Sequence, residues 1–221
     1  MRFMAREFTK NMFIMLVAIM IGVFIITYFV ADIINRSRIE TITIKHTEEM
    51  ETIEEKNINF TNHFLQSLIL SDTAREDRSY GDYHFDLARA FYADDVYQKV
   101  IDNCTSAMEK YLNSKDNFEI SSGYFNDTKS YTSYDKYLKL LDHYVNLTKS
   151  GARLSMLRYN ASNYLKYIAE NLSVGVDPVN ISGLMELFNE TMEQYTQELE
   201  IYNDHKEKID GYEFFEEKRE I

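Results

Sequence analysis

One proline and seven glycines stand in a chain of 221 residues. A proline inside a helix costs about 3 kcal/mol and a glycine about 1, so a chain this poor in both is free to run as long helices. Gly81, Gly123, Gly175, Pro178 and Gly211 punctuate it. The stretches between them are long enough for helices of about 30–40 residues.

The second constraint is Met12 to Ala31, MFIMLVAIMIGVFIITYFVA, which no charged residue interrupts. At about 1.5 Å per residue, about 20 apolar residues span a hydrocarbon core of about 30 Å. Strands usually end by about 10 residues, which argues against a buried strand. The core of a cleaved signal peptide is about 7–15 residues and ends in small residues. Here the run is longer, and Phe29 stands two places before the only candidate cut, after Ala31. An uncleaved anchor is the expectation. Basic residues flank it almost evenly, Arg2, Arg6 and Lys10 before it and Arg36, Arg38 and Lys45 after. The count leans only slightly toward a cytoplasmic N-terminus. Within the run, Ala18 and Gly22 form a small-xxx-small pair, a spacing that permits close helix approach.

Asn-x-Ser/Thr triplets decide the orientation. They occur at Asn35, Asn59, Asn103, Asn126, Asn146, Asn160, Asn171, Asn180 and Asn189, all after the anchor. With 16 Asn and 29 Ser plus Thr, chance gives about two such triplets. The excess predicts a glycosylated domain outside the membrane. Asn35 lies too close to the bilayer to be used, which leaves the other eight as candidate glycan sites. An Asn- and Ser-rich helical surface that makes the triplets by accident is the competing explanation. The expected location is the cell membrane, single-pass, with the N-terminus cytoplasmic and the remaining domain outside.

A net charge of −12 argues against nucleic acid, whose phosphates demand clustered Lys and Arg. Cys104 is the only cysteine, so no disulfide staples the fold. A disulfide-free, sequon-rich envelope protein fits an archaeal surface at least as well as a eukaryotic secretory protein.

Four helical segments are expected. The first runs from the anchor to about Ser71, with SDTAREDRSYGD as a turn. The second covers about 83–112, where Ala90, Ala93, Tyr97, Val100, Cys104, Ala107 and Tyr111 alternate three and four apart on one face. Residues 113–132 read as the longest linker. In the third, about 133–172, Leu140, Leu147, Leu154, Ala161 and Ile168 recur every seven residues. Asn146, Asn160 and Asn171 fall within about 40° of one another, roughly 110° from that stripe. The fourth carries Ile181, Met185, Phe188, Met192, Tyr195, Leu199 and Tyr202 in a 4-3-4-3 seam. The predicted fold is all-α: an N-terminal single transmembrane helix followed by an antiparallel four-helix bundle. Its parts are a short cytoplasmic tail at 1–11, the transmembrane helix at 12–31, the bundle at 32–209 and a C-terminal tail at 210–221. In that tail Tyr212, Phe214 and Phe215 are placed to touch the outer headgroups, while Glu213, Glu216 and Glu217 repel anionic lipids.

Catalytic signatures are missing. Carboxylate-bridged metal bundles need Glu-x-x-His pairs, and no glutamate stands three places before His46, His63, His84, His143 or His205. His46 and Glu49 share a helix face that reads as exposed. Cys104 sits on an apolar seam with Asp102 and Glu109 near it, the wrong sign for a thiolate. It reads as a core residue. No Gly-rich phosphate loop or serine nucleophile elbow is present. Two tyrosine clusters, Tyr80, Tyr83, Tyr92 and Tyr97 against Tyr131, Tyr134, Tyr137 and Tyr144, are expected at opposite ends of the bundle. No enzyme activity, metal or cofactor is expected.

Anchor plus bundle, over roughly residues 12–209, resembles the extracytoplasmic four-helix-bundle sensor domains of chemoreceptors and sensor kinases. Those receptors carry a second membrane helix and a cytoplasmic signalling part, and this sequence shows neither. The resemblance therefore implies a ligand-sensing or interaction module working with a membrane or surface partner, or with another copy of itself. The alternative is a structural glycoprotein subunit of a larger membrane or envelope assembly. The first reading expects a concave pocket with convergent polar groups. The second expects a solid core and one glycan-free face.

Overall fold

The computed structural model describes residues 2–212, with side chains at Met20, Phe24 and from residue 27 onward. Among these residues the chain is all-helical: α1 (Arg2–Ala93), α2 (Tyr97–Thr128), α3 (Asp135–Ser173) and α4 (Ser182–Asp210). Short 3-10 turns at Lys129–Tyr131 and Pro178–Ile181 precede α3 and α4. The chain divides into two compact units, Met1–Glu55 and Lys56–Ile221, and α1 contributes to both. Among the described residues no helix is long and apolar enough to cross a membrane. The side chains of Ala18 and Gly22, and most of those in the apolar run 12–31, lie outside the described set. So do the tail residues Glu213, Phe214, Phe215, Glu216 and Glu217.

In the first unit, α1 is exposed almost throughout from residue 27, including Ile39, Ile42, Met50 and Ile53. Its threonine hydroxyls turn back onto the helix: Thr41, Thr43, Thr47 and Thr52 each donate to the carbonyl four residues earlier. Arg36–Asp32 and Lys45–Glu49 pair along its surface.

The second unit is an antiparallel four-helix bundle. Contacts between α1 and α2 run in opposite directions: Ser114 donates to the Ala74 carbonyl, and Ser121 to the Ser67 carbonyl. Ser114 and Ser155 pair α2 with α3, and Ser150 donates to the Glu198 carbonyl of α4. Phe85 stacks with Phe188, returning α4 to α1. The order is up-down-up-down, as expected. Tyr92 and Tyr97 flank the α1–α2 turn, whereas Tyr131, Tyr134 and Tyr137 gather at the α2–α3 turn at the opposite end.

Two expected breaks do not occur. SDTAREDRSYGD is helical, not a turn, and 113–128 is helical, not a linker. The reason is the chemistry of the buried seams. In α1, Ser67, Ser71, Ala74, Gly81, Phe85 and Ala88 are buried, with Arg78 completing the 4-3 spacing. In α2 the seam continues from Tyr111 through Ser114, Phe118, Ser121 and Phe125 to Thr128. Small hydroxyl residues hold the places that leucine holds in α3. Gly81 and Gly151 stand where Tyr111 and Phe118 press against the neighbouring backbone: a Cβ would meet Tyr111 Cε1 at 2.7 Å in the first and Phe118 Cζ at 2.8 Å in the second.

The actual ends have clear local causes. α1 stops at Asp94–Val96, where Asp95 adopts φ 58°, a left-handed conformation that aspartate tolerates better than most residues. α3 ends on Gly175 at φ 80°, whose N–H donates to the Leu172 carbonyl while that of Val176 returns to Asn171. Asp177 then caps the next turn through the Val179 N–H at 2.9 Å, with Pro178 in its first turn. In α3, Leu140, Leu147, Leu154, Ala161 and Ile168 are all buried, as the repeat predicts.

Candidate functional site

Two arginines occupy seam positions otherwise filled by small or apolar residues. Arg158 lies seven before Leu165 in α3, and its side chain is 14 % exposed. All four helices build its surroundings. From α1, Asp82 Oδ1 lies 3.4 Å from Arg158 Nε, an ion pair without hydrogen-bond alignment, so Nε has no hydrogen-bond partner. From α2, Tyr111 donates its hydroxyl to the same Asp82 oxygen at 2.7 Å. From α4, the Tyr195 ring lies 4.0 Å from the guanidinium carbon and Met192 Sδ 3.7 Å from Nη1. Phe85 covers the guanidinium at 4.9 Å. Burial, with Asp82 adding to it, pushes the Tyr111 phenol pKa well up, so Tyr111 stays a donor at neutral pH. Burial opposes the charge on Arg158, but Tyr195, Tyr111 and Asp82 outweigh it and hold its pKa above the ordinary value. The cluster binds four helices around one desolvated cation.

Arg78 is the second arginine. Its guanidinium sits 4.8 Å from the Tyr202 ring and 5.8 Å from Phe118, distances at which ring faces attract a cation. Nη1 is buried without a hydrogen-bond partner. Arg78 lines a cleft of about 420 Å3 between α1, α3 and α4, together with Asp72, Arg75, Tyr144, Tyr202, Lys206 and Asp210. The other cations there are matched: Arg75 pairs with Asp72 at 3.2 Å and Lys206 with Asp210. Among the described residues Arg78 has no such carboxylate, so the cleft carries one surplus positive charge beside aromatic walls. A second cleft, about 350 Å3 and lined by Arg89, Tyr92, Leu165, Ile168, Met185 and Phe188, is largely apolar. Both volumes fall in the range of small-molecule sites.

The candidate glycan sites divide by exposure. Asn126, Asn146, Asn180 and Asn189 are exposed, as is Asn35. Asn59, Asn103, Asn160 and Asn171 are half-buried. Asn103 is held at both ends of its amide: Nδ2 donates to the Lys99 carbonyl at 2.9 Å, and Oδ1 lies 3.2 Å from His84 Nδ1. Asn171 Nδ2 donates to the Tyr167 carbonyl. The Asn146, Asn160 and Asn171 stripe is thus fully open only at Asn146. Cys104 is buried between Val100 and Ala107 on the α2 seam, and burial pushes its thiol up to about 12.

The two arginines escaped the sequence reading, although a signal was present. Each stands at a 4-3 position of its own seam, where an exposed charge would not fall. The cleft depends on residues from three helices and no local motif marks it. No family model, no curated protein and no solved structure matches this chain.

Proposed function

We propose that this chain is a non-enzymatic, membrane-anchored helical module whose bundle, on the outer side of the membrane, binds a ligand or partner group in the α1–α3–α4 cleft. The observation that carries the reading is Arg78. Among the described residues it is a cation without a paired carboxylate, laid against Tyr202 at the wall of a cleft of about 420 Å3. A ligand with a carboxylate or similar anionic group and an apolar body suits those walls. The apolar run Met12–Ala31 supports the anchor by its length, and the exposed sequons support the outer location. The alternative, a structural glycoprotein subunit, draws on a different observation: Ile39, Ile42, Met50 and Ile53 are exposed on a helix that buries nothing around them.

The test is glycopeptide mapping and a search for co-purifying chains on the full protein extracted from its native membrane. Glycans at Asn146 and the other exposed sites support an outer domain. A stoichiometric companion chain favours the subunit reading. Unmodified peptides at every site remove the outer location.

A further inference from the structure

His143 in α3 and His205 in α4 are 62 residues apart in sequence, yet their Nδ1 atoms lie 3.5 Å apart. Their rings are tilted by 47°, with centroids at 5.7 Å. Two imidazolium ions cannot share that geometry, because both nitrogens would carry protons pointing at each other. Burial holds the pKa of His205 down. His143 and Lys208 act in the same sense, against Asp204 and Glu198. At this contact at least one of the two Nδ1 atoms therefore carries no proton and turns its lone pair toward the other ring.

Two nitrogens bound to one zinc at about 2.0–2.1 Å in tetrahedral geometry stand about 3.3–3.4 Å apart. The observed separation of 3.5 Å is within roughly 0.2 Å of that chelate, and the rings, now nearly head-on with centroids at 5.7 Å, would have to tilt toward a common point to complete it. The helices that hold the rings are packed at this level, with Leu147 of α3 and Tyr202 of α4 buried in one cluster. Neighbouring carboxylates are engaged elsewhere: Asp204 with Lys208 and Asp142 with Lys129. Among the described residues no group of three or more His, Cys, Asp or Glu forms a metal cluster.

We propose that His143 and His205 form a two-nitrogen site for a divalent transition metal, which would bridge α3 to α4 through Nδ1 and leave its remaining positions to water or an added ligand. Imidazole pairs select zinc, nickel and copper over magnesium and calcium. The site is independent of the Arg78 cleft and of the membrane assignment.

The test is zinc titration by calorimetry on the full chain in detergent, stripped of metal by chelation, with melting followed in parallel. Wild type should bind one zinc that is absent or much weaker in His143→Asn and in His205→Asn. Losing only an outer partner of a ligand typically costs about 10–100-fold, so losing a ligand costs at least that. His46→Asn, in the exposed part of α1, should bind as wild type does. Zinc should raise the melting temperature of wild type and of His46→Asn only, and magnesium should do neither. Each variant's metal-free circular dichroism spectrum checks that it has folded. Equal zinc affinity in a folded His143→Asn or His205→Asn protein overturns the proposal. So does zinc binding without a rise in melting temperature, because a bridge between two helices must stabilise them.

Discussion

Gly81→Ala and Gly123→Ala are the same chemical change inside helices, and the structure gives them opposite signs. In isolation each should gain about 0.8–1 kcal/mol, the difference in helix propensity. At exposed Gly123 nothing lies within 4 Å of the new Cβ, so most of that gain should survive. At Gly81 the Cβ meets three atoms of the Tyr111 ring at 2.7–3.0 Å. The ring is fully buried and its hydroxyl is tied to Asp82 at 2.7 Å, so it cannot swing aside freely. Overpacking of this kind costs about 1–3 kcal/mol, which leaves Gly81→Ala neutral to about 2 kcal/mol destabilised. The gap between the two variants is then about 1–3 kcal/mol, or roughly 2–12 °C in melting temperature at about 2–4 °C per kcal/mol for a protein of this size. Thermal unfolding of both variants by circular dichroism measures the gap. Repeating Gly81→Ala in a Tyr111→Ala background isolates the contact, because the cost should vanish once the ring is gone. Equal stabilisation by both substitutions, or a cost that persists without the ring, would refute this account of the α1–α2 approach.

Other outcomes follow from the buried hydroxyls and titrating groups. Ser114→Ala removes bonds to the Ala74 carbonyl and to Ser155 and should cost about 1–2 kcal/mol by urea denaturation. Ser162→Ala, whose hydroxyl reaches only the Arg158 carbonyl of its own helix, should cost less. Cys104, with its thiol pushed up to about 12 by burial, should resist iodoacetamide at pH 8 and react once denaturant is added; labelling of the native protein at the rate of a free thiol would contradict the packing. His205 titrates below its ordinary 6.5 in the folded chain, so the unfolded state takes up its proton first. Its contribution to stability is therefore full above about pH 6.5 and is lost as pH falls through the lowered folded value. A His205→Asn variant should flatten that part of the stability–pH curve, and an unchanged curve would count against it.

α3 and α4 were legible in the sequence because leucine, isoleucine and aromatic residues mark their seams and a glycine or proline marks their ends. The distal parts of α1 and α2 were not, although their spacing is as regular. Ser67, Ser71, Ala74 and Gly81 face Ser114, Phe118 and Ser121, and a hydropathy pattern discounts serine and glycine wherever they stand. The buried hydroxyls are satisfied by carbonyls, which removes the cost of placing them in a core. That satisfaction is visible only once two helices are side by side. Arg158 and Arg78 were hidden for a related reason: the rings that flank both guanidiniums, and the Asp82 that faces Arg158, come from helices distant in sequence. The His143–His205 pair shares this property, since no spacing rule links residues 62 apart.

The polar character of this core has a consequence for the sequons. Residues two apart on a helix point about 200° apart, so a surface asparagine two places before a buried serine or threonine writes an acceptor triplet without any selection for one. Thr128, Thr148, Ser162 and Thr191 are the buried hydroxyls that follow Asn126, Asn146, Asn160 and Asn189. In four of the nine triplets the hydroxyl residue is thus also a packing position. Erasing one of these triplets through its hydroxyl residue disturbs the bundle interior, whereas changing an exposed asparagine such as Asn146 alters the surface alone. A count of such motifs in a serine-lined helical bundle measures its interior as much as its exterior.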